Sequence, residues 1–161
     1  MTKVSKIMNT NVPTLGKDAN VSDVVGIIAK NSYGCVIIVE NKKPIGIITE
    51  SDIIRNFALK KNSQREKATK IMSSPVTTID VNARLDKANK IMGARHFRKY
   101  PVVENGNLVG LLTENSVVHA ISQNVRFHRN VQNAVLMIFM AFEFFIFFFY
   151  RHLAKFLTFL R

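Results

Sequence analysis

Hydrophobic positions change their spacing along the first sixty residues in a way that spells out an element order. Val12 to Leu15 reads as a short extended segment. Val21, Val24, Val25 and Ile28 then fall at spacings of three and four, which predicts a helix that buries those four side chains. Asn20, followed three residues later by Asp23, suits the start of that helix, because both side chains can satisfy free backbone N–H groups. Two nearly continuous apolar runs follow, Cys35 to Val39 and Ile45 to Ile48, separated by Asn41-Lys42-Lys43-Pro44. Runs of that length without polar alternation predict strands covered on both faces. A last helix is expected to begin after Thr49.

The pattern then recurs without a gap, 64 residues later. Lys6-Ile7-Met8 falls on Lys70-Ile71-Met72, Val39-Glu40-Asn41 on Val103-Glu104-Asn105, and Gly46 with Thr49-Glu50 on Gly110 with Thr113-Glu114. The second copy repeats the extended segment (Val76 to Ile79) and the helix face (Leu85, Ala88, Ile91 and Met92). Its strands are Tyr100 to Val103 and Leu108 to Leu112, joined by Asn105-Gly106-Asn107. Chance does not give so many matches in one register, so the chain holds two copies of one unit. A unit of about 60 residues is marginal alone, and the two are expected to pack against each other. The expected organisation is unit one at 1–61, a linker at 62–67, unit two at 68–124 and a distinct tail at 125–161.

Charge changes this picture less than its total suggests. The net +12 divides into three equal parts: nine basic against five acidic residues in 1–64, nine against five in 65–125, and five against one in 126–161. No run of five or six like charges occurs, so the excess reads as a solvated surface rather than a nucleic-acid footprint. A single cysteine, Cys35, excludes an internal disulfide framework and a zinc site built on several thiolates. The four histidines lack metal-ligand spacing, and neither a nucleophile elbow nor a Walker-type loop is present. Nothing in the sequence argues for catalysis. Met1 to Met8 has lysines but no apolar core of a signal peptide, which favours a start in the cytosol.

Paired β-α-β-β-α units with these motifs resemble the cystathionine-β-synthase (CBS) domain pair. The carrying residues in copy one are Val4-Ser5-Lys6-Ile7-Met8, Val36 to Val39 and Gly46-Ile47-Ile48-Thr49-Glu50-Ser51-Asp52. In copy two they are Ala68-Thr69-Lys70-Ile71-Met72, Tyr100-Pro101-Val102-Val103 and Gly110-Leu111-Leu112-Thr113-Glu114-Asn115-Ser116. The likeness runs to about residue 124. It implies an α+β fold of two units related by a pseudo-two-fold axis, and a regulatory module rather than an enzyme. Such a module would hold AMP, ADP, ATP, S-adenosylmethionine or NADH in a cleft between the copies, need no other cofactor, and signal occupancy to an effector protein. It would also form at least a homodimer.

The resemblance further implies roles for single residues. Thr49 would contact ribose or phosphate and Asp52 would take the two ribose hydroxyls, with Gly46 letting the ligand approach the backbone. A carboxylate suits two adjacent hydroxyl donors without any appeal to the family. The same Thr49-x-x-Asp52 spacing also fits a helix capping box, and the two readings are compatible at Thr49. In copy two, Thr113 keeps the pattern, with Asn115 a further candidate contact, while Ser116 replaces the Asp, which predicts unequal sites with the Asp52 cleft tighter. Phosphates at that cleft would reach His96, Arg98 and Lys99; the corresponding stretch of copy one, Asn31-Ser32-Tyr33-Gly34, has no cation. A solvated basic loop is the competing reading of these residues. Adenine is expected among Val12, Thr14, Cys35 and Val36, positions equally suited to any core. Cys35 reads as a small buried hydrophobe.

The tail is a different material. Ten of the 12 Phe lie at or after Phe127, and Ala134 to Tyr150 is apolar on every side, interrupted only by Glu143. Arg126, His128 and Arg129 flank one end; Arg151, His152 and Lys155 the other. Eleven Val, Leu, Ile or Phe residues at roughly −0.3 to −0.6 kcal/mol each outweigh one central acid at roughly +3 kcal/mol, so transfer into a bilayer is favourable. Three readings stand: a membrane anchor through 134–150, a buried helix at an oligomer interface, or a Phe-rich end produced by a shifted reading frame. Nucleotide access puts residues 1–125 on the cytosolic side.

Overall fold

The apolar runs form the central strands of two three-stranded sheets in the computed structural model, which describes residues 2–59, 65–95 and 97–159. In copy one, β1 (Thr14–Gly16) pairs parallel with β2 (Cys35–Glu40), which pairs antiparallel with β3 (Lys43–Thr49). A parallel pair needs a crossover, and α1 (Val21–Ile28) supplies it. Asn20 N–H donates to Asp23 Oδ2 at 2.9 Å, as the sequence predicts for its start. Helix α2 (Glu50–Leu59) leaves the end of β3. Copy two repeats the order with β4 (Ile79–Asp80), α3 (Leu85–Arg95), β5 (Lys99–Glu104), β6 (Asn107–Thr113) and α4 (Glu114–Phe159). Even the register shifts coincide, between Ile38 and Val39 and between Val102 and Val103.

The opening strands are shorter and later than the sequence suggests. Val12 and Val76 precede them, because only three and two residues pair before the chain turns towards each helix. Both hairpins turn at two residues with positive φ, Asn41 (48°) with Lys42 (66°) and Asn105 (50°) with Gly106 (82°), as tight hairpin turns of this hand require. Val21, Val24 and Ile28 are buried, while Val25 is half-buried; in copy two Leu85, Ala88 and Met92 are buried and Ile91 half-buried. Each helix therefore presents a narrower core stripe than its apolar spacing implies.

Alternation along β2 explains why that strand is apolar throughout. Val36 and Ile38 join Val24, Ile28 and Ile48 in one cluster, on the α1 face. Cys35 and Ile37 join Ile47 and, from copy two, Leu111 in another. One face is thus covered by the copy's own helix and the opposite face by its pseudo-symmetric partner.

The arm that begins each copy docks on the other copy. Val4 and Ser5 N–H groups donate to Ala83 and Val81 carbonyls at 2.9 and 3.0 Å, and Asn9 exchanges two hydrogen bonds with Leu111. Reciprocally, Ala68 N–H donates to Ala19 O at 2.9 Å, Ser73 exchanges two bonds with Ile47, and the Ala68 side chain lies in the copy-one core. Residues 4–9 thus hydrogen-bond to copy two and residues 66–73 to copy one. Of the expected linker, 62–64 lie outside the described residues, and Lys67 Nζ donates to Asp18 O at 2.6 Å.

Met1–Val118 and His119–Arg161 are separate compact units. The second is helical through Phe159. Between Glu114 and Tyr150 the helix contains a stretch of mean hydropathy 2.0, none of it buried, and by length and composition it suffices to cross a membrane.

Candidate functional site

Thr49 closes β3 and Asp52 stands in the first turn of α2, so the strand end delivers both to one place. Thr49 N–H and Oγ1–H donate to Asp52 Oδ2 at 2.9 and 2.7 Å, and Asp52 N–H approaches Thr49 Oγ1 at 3.4 Å. This is a capping arrangement, and it uses one carboxylate oxygen. Oδ1 has no hydrogen-bond partner among the described residues and remains available as a charged acceptor. In copy two the same turn is closed by Thr113 Oγ1 and Ser116 Oγ, 2.8 Å apart, without any carboxylate.

A cavity of about 590 Å³ opens beside Thr49 and Asp52, within the usual size range of small-molecule sites. Copy one contributes Ile47, Thr49, Asp52 and Arg55 to its walls; copy two contributes Val76, Thr77, Phe97, Arg98 and Lys99. A related cavity of about 550 Å³ has Thr113, Asn115 and Ser116 from copy two facing Asn9, Ser32 and Tyr33 from copy one. Each cavity thus combines the strand-to-helix turn of one copy with loops of the other.

The residues singled out from the sequence divide accordingly. Thr49, Asp52, Arg98 and Lys99 share the first cavity, and Thr113 and Asn115 line the second. His96 lies outside the described residues. The other five do not line the first cavity. Cys35 and Val36 are fully buried and, as neighbours on a strand, face opposite sides. Val12 is half-buried against the Cys35 cluster, and Thr14 is exposed on β1. Gly46 faces Met72: a Cβ there would sit 2.3 Å from Met72 Sδ, so its missing side chain admits a methionine of the other copy. Gly110 admits Met8 in the same way, at 2.6 Å.

The apolar wall comes instead from Val76 and Thr77, the copy-two counterparts of Val12 and Pro13. Phe97, 55% exposed and edge-on to Tyr100, adds an aromatic surface that an exposed Phe beside Arg98 could have signalled.

Charge is concentrated where the loop enters β5. Lys99 Nζ donates to Gly34 O at 3.1 Å, and Arg98 Nε lies 3.5 Å from Glu114 Oε2. Burial pushes the Cys35 thiol above its ordinary pKa of 9.0; Lys99 opposes the shift and Glu50 adds to it. A buried, protonated thiol is a packing group, not a nucleophile. Among the described residues no group of three or more His, Cys, Asp or Glu side chains could hold a metal ion.

Comparison with known proteins agrees with this architecture. Two proteins of Methanocaldococcus jannaschii, both uncharacterized, are 30% identical over 135 residues and 38% identical over 116 residues. The alignments take in 75% and 71% of this chain but only 32% and 60% of those proteins, which are longer. A CBS domain protein from Pyrobaculum aerophilum, solved in complex with AMP, is 26% identical, with a TM-score of 0.66 over 71% of this chain and 89% of that one. The CBS domain family model matches twice, at residues 4–59 and 68–123, one match to each copy. With both copies matched over most of the chain, this protein belongs to the CBS domain family.

Proposed function

We propose that residues 2–118 form a regulatory module that binds an adenosine-containing ligand in the cavity beside Asp52 and performs no catalysis. The single observation that carries this reading is Asp52, whose Thr49 cap uses only Oδ2 and which lines one cavity together with Arg98 and Lys99. A fixed carboxylate oxygen suits ribose hydroxyls, and two cations suit a phosphate or carboxylate at the other end of the ligand. Phe97 and Val76 offer apolar surface to a base. The AMP complex of the P. aerophilum protein supports this ligand class. AMP, ADP, ATP, S-adenosylmethionine and NADH all fit it, and ligand occupancy would be passed to an effector protein by a homodimer.

The exposed apolar stretch of α4 supports a second element of the proposal, a membrane anchor through 134–150 that holds the module on the cytosolic side. A helix apolar on all sides suits lipid better than a one-sided protein interface.

Mass spectrometry of small molecules retained by the natively purified full-length chain, followed by thermal-shift titration with the five ligands, tests the reading. An adenosine compound retained, and a melting shift that Asp52→Ala removes, are expected. If nothing is retained and no ligand shifts the melting point, the clefts are structural.

A further inference from the structure

The two cavities are walled by the same pair of cations. Arg98 and Lys99 line the cavity beside Asp52 and also the one beside Ser116. Arg98 leans towards Glu114, a wall residue of the second cavity, and Lys99 reaches Gly34 O, another. Copy one has no equivalent pair. Its corresponding positions are Gly34 and Cys35, and a side chain at Gly34 is barred by a φ of +58° and by the Glu50 carboxylate 2.8 Å from where a Cβ would stand.

The charge of the walls follows. The first cavity sets Arg55, Arg98 and Lys99 against Glu50 and Asp52. The second has Arg98 and Lys99 alone, among described residues, against Glu50 and Glu114. Committing the shared pair to a phosphate in the first cavity therefore leaves the second with two carboxylates and, among the described residues, no free cation. A second phosphate would then meet like charge with no cation of its own to offset it.

We propose that the two cavities share one phosphate-binding pair, so that a phosphorylated adenosine ligand fills one cavity at a time, whereas an uncharged nucleoside is not so restricted. The inference rests on the proposed adenosine reading and adds a stoichiometry to it. It makes Arg98 and Lys99 the link through which occupancy of one cavity is felt at the other.

Ser116→Asp isolates the effect, because it gives the second cavity the acceptor it lacks. The Thr113–Ser116 contact of 2.8 Å matches the Thr49–Asp52 contact of 2.7 Å, so the turn accommodates the carboxylate. Equilibrium dialysis of the full-length Ser116→Asp chain in detergent micelles, with AMP and with adenosine, reads the stoichiometry. One AMP but two adenosines per chain at saturation is the expected result. Two AMP per chain overturns the shared pair. A single adenosine per chain also overturns it, since something other than phosphate then limits the second cavity. AMP binding to neither this variant nor the wild-type chain overturns the adenosine reading itself.

Discussion

Replacing Gly46 by alanine should destabilise the paired units, and the structure sets how much and through which neighbour. The new Cβ would stand 2.3 Å from Met72 Sδ, 2.8 Å from its Cγ and 3.1 Å from its Cβ, where ordinary contacts need roughly 3.5–4.0 Å. Rotation about the Cα–Cβ and Cβ–Cγ bonds of Met72 can carry Cγ and Sδ away at some loss of packing and leaves the third contact, so the cost falls at the lower end of the roughly 1–3 kcal/mol range for overpacking. Gly110→Ala meets Met8 Sδ at 2.6 Å and also the Asn9 carbonyl oxygen at 3.0 Å, which is backbone and already accepts from Leu111 N–H at 2.8 Å. That site cannot yield by side-chain rotation, and its cost falls at the upper end, about 2–3 kcal/mol. Urea denaturation of single and double variants separates the two cases. In a Met72→Ala background only the 3.1 Å Cβ contact persists, so Gly46→Ala should cost less than in the wild type by roughly 0.5 kcal/mol or more, whereas Gly110→Ala in a Met8→Ala background should still cost about 1 kcal/mol. An unchanged midpoint for Gly46→Ala, or an equal cost with and without Met72, refutes the reciprocal methionine packing.

Three further outcomes follow from local features. Lys42→Gly should stabilise the chain by about 0.5–1 kcal/mol, because Lys42 holds a φ of 66° where copy two has Gly106; a lowered denaturation midpoint contradicts this. Because burial raises the Cys35 pKa, the folded chain keeps the thiol proton longer than the unfolded chain does. Its contribution is therefore full below the ordinary value of 9.0 and is lost as pH rises past it. The melting-point advantage of wild type over Cys35→Ala should accordingly shrink as pH rises past 9.0, and an advantage constant with pH rules this out. The full-length chain should float with neutral phosphatidylcholine vesicles and stay bound in high salt, since apolar transfer is insensitive to screening. Release by salt would point to surface charge instead.

The repeat, the element order and the central strands were legible because each copy needs the same alternation of helix face and covered strand. Which copy each arm serves was not. Val4 and Ala68 occupy equivalent positions in a gapless repeat, so packing on its own copy or on the other satisfies the same pattern. Only the structure shows the exchange, and the exchange carries Val76 and Thr77, rather than Val12 and Thr14, to the wall facing Asp52. Gly46 misled for a related reason. A glycine marks close approach of some group, and here that group is the methionine of the other copy's arm. Thr49 and Asp52 stood out because a helix cap and the proposed ligand contact ask for the same residue types, and the cap uses one carboxylate oxygen, Oδ2.

Affinity for AMP measured on the full-length chain in detergent micelles, wild type against Asp52→Asn, tests the central claim most directly. Asparagine retains a side-chain oxygen for the Thr49 N–H and so preserves much of the cap, but it removes the carboxylate charge from the cavity lining. Hydrogen bonds to a charged group contribute roughly 1.5–3 kcal/mol each, so the dissociation constant should rise about tenfold to a hundredfold with the melting point nearly unchanged. Equal affinity in the two proteins, or no AMP binding by the wild type, would contradict the assignment of Asp52 as the ligand's anchor.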